Sequence, residues 1–153
     1  MEVSDQAQRA FQIGHEVGEI AQQLCPNGIL IKDDDNLSVA ISATISAMNM
    51  HPDRPLFEAT FEHDGLLVRT DVLLPTKMGY RMTEVKASTS VKPYHVDDCA
   101  VQAWVLKQNH IKLNLVELAY GNCQPSCRLN ACVYAAILSS ISPSIFLLSS
   151  VMC

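Results

Sequence analysis

The chain is short of basic residues: eleven Lys and Arg against sixteen Asp and Glu leave a formal charge of −5. A protein that grips nucleic acid by electrostatics alone is basic overall, so that class is excluded, and any contact with phosphate has to be local and metal-assisted. An apolar leader is also lacking. The opening MEVSDQAQRA is polar where a secretory signal would be apolar, which leads us to expect a cytoplasmic protein. Aromatics make up only 6% of the residues, and the single Trp, Trp104, sits in mid-helix, where it reads as core rather than as a platform for stacked bases. Six cysteines without a secretory leader read as reduced thiols, not as a disulfide framework. What remains is 153 residues, 48% of them apolar, enough for one domain with a core.

Within that domain the stretch 66–86, LLVRTDVLLPTKMGYRMTEVK, predicts two strands and a short loop. Side chains alternate along a strand, so Glu84 and Lys86 leave one face together with Val85 on the other. The preceding run carries His63-Asp64-Gly65 between β-prone segments, a hairpin signal. With Asp64-Gly65 as a two-residue turn, His63 faces Leu66 and counting back sets Glu58 opposite Asp71. If residues 76–79 form the next loop, Pro75 faces Tyr80 and Asp71 faces Glu84. Like charges so opposed destabilise a sheet, and a divalent cation on oxygen ligands is the simplest compensation.

FEATF, VRTDVLL and TEVKASTSVKPYHVDDCAVQAW closely resemble a bacterial family of uncharacterised proteins with a RecB-like core of the PD-(D/E)XK nuclease superfamily; the likeness runs from near Asp5 to about Tyr120. It implies an α/β, restriction-endonuclease-like αβα core, with a mixed sheet built on a three-stranded antiparallel meander and flanked by helices. It also implies a Mg²⁺-dependent nuclease, with Mn²⁺ as substitute, hydrolysing phosphodiester bonds in DNA. Asp71, Glu84 and Lys86 are then the catalytic residues, and Asp71, Glu84 and Glu58 the metal ligands. On the first helix the GHEVGE segment supplies Glu19, with His15 as second choice, to reach the metal site. On the helix after the E-x-K strand, Gln102 matches a glutamine that lies near the active site in RecB-like nucleases, although Leu106 stands where their tyrosine follows. Some relatives carry an iron–sulfur cluster on flanking cysteines. That needs four thiolates, and Cys123, Cys127 and Cys132 have no specific spacing and no upstream partner, so no cluster is expected. The alternative is a non-catalytic fragment or interaction module that keeps the nuclease fold.

The rest of the chain supports this core. Ser4 can cap a helix over 4–24 with Ala10, Ile13, Val17, Ile20 and Leu24 on one face, ended by Pro26-Asn27-Gly28. Asp33-Asp34-Asp35 lacks calcium-loop spacing and reads as a solvated turn. Asn36 caps a second helix whose apolar stripe is Leu37, Ile41, Ile45 and Met48, stopped by His51-Pro52. A helix over 94–109 follows the meander, with Val96, Cys99, Ala100, Ala103 and Leu106 inward, and residues 111–120 predict a last strand. Residues 1–122 thus form the nuclease-like domain. Residues 123–153, with Pro143 inside an apolar run, are a divergent tail that fits a truncation or frame-shift remnant better than a membrane anchor.

Overall fold

The structure is a computed structural model. It describes residues 19, 22–23, 25–32, 36–88 and 90–120, together with the backbone of 132–136 and 148–150. His15, Ser4 and most of the expected first helix lie outside the described residues, as do Asp33–Asp35, Cys123, Cys127 and most of the tail; residues 19, 22 and 23 are helical.

The described chain is an α/β unit. Strand β1 (Ile29–Leu30) leads to helix α1 (Leu37–Met50), then to β2 (Leu56–His63), β3 (Leu66–Thr76) and β4 (Gly79–Lys86), then to helix α2 (Pro93–Gln108) and β5 (Leu113–Tyr120). Two short strands, β6 (Cys132–Ala136) and β7 (Leu148–Ser150), extend the sheet. The strands lie side by side in sequence order. The β2-β3-β4 meander is antiparallel, whereas β1 pairs parallel with β2 and β4 parallel with β5. Parallel neighbours need a long crossover, and α1 and α2 are those two crossovers.

The hairpins follow from their turn residues. Asp64 and Gly65 both have left-handed backbone (φ 50° and 78°), as a two-residue turn that matches strand twist requires. His63 therefore faces Leu66, as the sequence predicts. The next turn is tighter than the expected four-residue loop: Thr76 pairs with Gly79 and only Lys77 and Met78 are left out. The parity is unchanged, and Pro75 faces Tyr80. Gly79 is required by a close approach, since a Cβ there would collide with the Lys112 carbonyl oxygen.

Helix α1 is capped by the Asn36 side chain, which accepts from the Ser38 N–H at 3.1 Å. Its buried stripe differs from the expected one. Ala40, Thr44 and Ala47 face inward, while Leu37 and Ile45 are about half exposed. The reason is close packing on β2: small side chains let the helix approach until Thr44 Oγ1 accepts the Thr60 N–H at 2.9 Å. A stripe of larger Leu and Ile would hold the helix too far off for that bond. Helix α2 begins with Pro93 and is capped at Asn109, and the left-handed backbone of His110 just beyond (φ 60°) lets Ile111 N–H reach the Leu106 carbonyl. It buries His95, Cys99, Gln102, Ala103, Val105 and Leu106, and Leu56, Leu73, Met82, Val116 and Leu118 complete the core beside it. Trp104 is not core: it is 40% exposed and makes a T-shaped ring contact with His63.

Candidate functional site

The site grows from the register of three strands and one helix. Phe57 faces Val72 and Ala59 faces Thr70, so the position between them sets Glu58 opposite Asp71. Val72 faces Thr83 in the last pair of the ladder, and carrying the register one step further sets Asp71 opposite Glu84. Three acids from three adjacent strands are thereby brought into one row. Glu58 does not lie in ordinary strand backbone. Its φ of 58° is left-handed, a conformation that costs a residue with a Cβ about 1–2 kcal/mol. Strain of this kind persists where the surrounding structure holds it, and it concentrates at functional sites.

Glu84 is buried, with both oxygens engaged: Oε1 accepts from Lys86 Nζ at 2.8 Å and Oε2 from Gln102 Nε2 at 2.7 Å. Lys86 Nζ also reaches Asp98 Oδ2 at 2.9 Å. Asp71 Oδ2 accepts from the Val85 N–H at 2.6 Å. Helix α2 thus grips the two β4 residues, and β4 backbone grips Asp71.

The electrostatics follow from this crowding. Burial, then the charge of Glu84, pushes the Asp71 carboxyl up to about 7; the Val85 N–H opposes this, Glu58 adds to it and Lys86 opposes it weakly. For Lys86, burial acts to lower the pKa, but hydrogen bonds to Glu84 and Asp98 and the charges of both outweigh it, so the ammonium is held well above its ordinary range. It is a fixed cation and not a free base. Beside it, His95 is buried and its pKa lowered, first by burial and then by the Lys86 charge. Its Nδ1 lies 3.3 Å from the Lys92 N–H and accepts from it, as a neutral ring can. Burial, with Glu84 nearby, pushes the Cys99 thiol up to about 12, which removes it as a nucleophile.

Of the residues expected from sequence, Asp71, Glu84, Lys86, Gln102 and Glu58 come together here. Glu19 lies in helical backbone with an exposed side chain. Asp98 and His95 were missed, although both stand on the α2 stripe that carries Gln102: Asp98 precedes it by four residues, one helical turn. A second polar group, also missed, lies on the opposite face of β4, where buried Glu117 accepts from Thr83 Oγ1 at 3.1 Å and lies 3.4 Å from Arg81 Nε.

Among the described residues, no three His, Cys, Asp or Glu side chains converge as a ready metal cage. The donor chemistry nevertheless suits a hard dication. Asp71, Glu84 and Glu58 offer carboxylate oxygens only, their repulsion adds to burial in raising the Asp71 pKa, and Gln102 Oε1 is buried with no hydrogen-bond partner beside them. Comparison of the chain with models of known families, with curated proteins and with solved structures gives no match.

Proposed function

We propose that the chain is a metal-dependent nuclease of the PD-(D/E)XK type, with a restriction-endonuclease-like core, that hydrolyses phosphodiester bonds in DNA with Mg²⁺ or Mn²⁺. The observation that carries this reading is the row of Glu58, Asp71 and Glu84 with Lys86 two residues beyond Glu84 and bonded to it. Asp71, Glu84 and Glu58 would hold the metal ion, which when bound supplies charge stabilisation to the phosphoryl oxygens and a more acidic water. Lys86, kept charged by its two carboxylate partners, is suited to orient the attacking water or to neutralise a phosphate oxygen, and not to abstract a proton. Gln102 holds Glu84 in its rotamer by donating to Oε2. The overall negative charge leaves substrate contact to this local arrangement.

One observation favours a second reading, a non-catalytic module on the same fold: both Glu84 oxygens already have partners within the protein. Cleavage of plasmid and single-stranded DNA separates the two. The wild type should cut with Mg²⁺ or Mn²⁺ and not with EDTA, and Asp71→Ala, Glu84→Ala and Lys86→Ala should each lose roughly 100-fold or more while remaining folded. No cutting by the wild type, or full activity of Lys86→Ala, would overturn the nuclease reading.

A further inference from the structure

The contact between Lys86 and Asp98 sits beside the acid row, where the chemistry would be. Helix α2 is the crossover between parallel strands β4 and β5, so it runs back against the direction of β4. Four residues along a helix advance about 6 Å and two along a strand about 6.6 Å. Asp98 and Gln102 on α2 therefore step at nearly the same spacing as Lys86 and Glu84 on β4. The two opposed rows close two rungs: Gln102 to Glu84 at 2.7 Å and Asp98 to Lys86 at 2.9 Å.

We propose that Asp98 is a positioning residue that holds the Lys86 ammonium in place at the carboxylate row, a role that rests on the nuclease reading for its catalytic consequence. Lys86 carries its charge on a stem with several rotatable bonds, so a single partner leaves it wide freedom. Its other partner, Glu84, is also an acid opposite Asp71 and is the group a metal ion would draw on. Asp98 stands outside the Glu58, Asp71 and Glu84 row. It can keep Lys86 anchored whichever partner Glu84 takes. The lysine side chain is 27% exposed, whereas Asp98 is 47% exposed, so the anchor reaches in from the rim toward a more enclosed cation.

The test uses the full chain with Asp98→Asn, Asp98→Glu and, as a control, Asp97→Asn, which removes the neighbouring exposed charge on the same helix. The first readout needs no activity. In metal-free ¹⁵N-labelled protein the Lys86 Nζ–H signal, identified by its loss in Lys86→Arg, should be protected in the wild type, lost in Asp98→Asn and retained in Asp97→Asn and Asp98→Glu. The second is plasmid cleavage at saturating DNA. Asp98→Asn should lower kcat by roughly 10- to 100-fold, as loss of a residue behind an active group commonly does, with the half-saturating Mg²⁺ concentration unchanged and with recovery in Asp98→Glu. An unchanged Nζ signal in Asp98→Asn overturns the proposal, and so does a lost signal with unchanged kcat. A shift in the Mg²⁺ requirement instead of kcat also overturns it, since it would make Asp98 a metal ligand. A wild type that cuts nothing, but whose Nζ signal depends on Asp98, counts against the nuclease reading and for the tether.

Discussion

Replacing Asp71 with Asn should make the metal-free protein more stable, and more so the higher the pH. In the folded chain desolvation by burial, and then the facing charge of Glu84, push the Asp71 carboxyl up from 3.8 to about 7. An acid whose pKa is raised by folding binds its proton more tightly in the native state. Its contribution to stability is therefore complete below about 3.8 and is lost as pH climbs to about 7. Each pKa unit corresponds to about 1.4 kcal/mol, so ionising Asp71 in place costs roughly 4 kcal/mol. An Asn side chain has the same shape, can still accept from the Val85 N–H, and never ionises. Wild-type stability alone would hide the effect. His95 titrates below its ordinary 6.5, so it contributes the opposite slope as pH rises through its folded pKa toward 6.5. The difference between variant and wild type cancels that shared contribution. Urea unfolding of both proteins in EDTA, from pH 5 to 8.5, should show the advantage of Asp71→Asn growing by about 1.4 kcal/mol per pH unit and levelling off above 7. A variant that is less stable than wild type at pH 8 would refute the reasoning, because Asp71 would then be a satisfied structural acid.

Three further expectations use other parts of the molecule. Metal stabilisation should strengthen with pH through about 7, because Asp71 must release its proton to act as a ligand; the Mg²⁺-dependent rise in Tm should be larger at pH 8 than at pH 6 and absent in Asp71→Asn. Glu58→Gly should raise metal-free stability by about 1 kcal/mol by relieving left-handed backbone and one like charge, while weakening Mg²⁺ binding in the same thermal-shift assay; a loss of metal-free stability would show that the Glu58 side chain supports the fold. Thr44→Val should cost about 1–3 kcal/mol in urea unfolding by leaving the buried Thr60 N–H without its acceptor, and Thr44→Ser should recover most of it.

The acid row was legible because strand register is a counting problem. The Asp64-Gly65 turn fixed the offset of β2 against β3, and loop parity fixed β3 against β4, so Glu58, Asp71 and Glu84 followed from integers. Parity also explains why the shorter second turn did no harm, since removing two residues from a loop leaves every side chain on its face. The positions on α1 were not legible in this way. Hydropathy favours Leu37 and Ile45 as the inward stripe, but the contact that decides the helix orientation is a hydroxyl accepting a strand N–H, and hydropathy gives Thr44 no weight. Asp98 was hidden for a similar reason. Its role depends on α2 running back along β4 at matched spacing, a relation between two elements that neither sequence pattern carries alone.

Strand β4 supplies its own contrast between an acid that serves the fold and acids that strain it. On one face Thr83 and Arg81 meet buried Glu117, and that carboxylate has a hydroxyl donor and a guanidinium beside it. On the other face, one residue along, Glu84 is equally buried and has a partner on each oxygen, yet it stands opposite Asp71 with Glu58 beyond. The same sheet gives a buried acid a hydroxyl donor and a neighbouring cation where no rival acid faces it. For Asp71 burial is the largest cause of the raised pKa, and the facing charge of Glu84 comes second. Glu84 and, more weakly, Glu58 add their charge to that burial, and the row is held by a left-handed residue, a backbone N–H and a helix glutamine. An arrangement that concentrates like charge against its own stability, beside one fixed cation, has a physical use once a further positive charge enters, and that is the ground on which the row is read as a site and not as core.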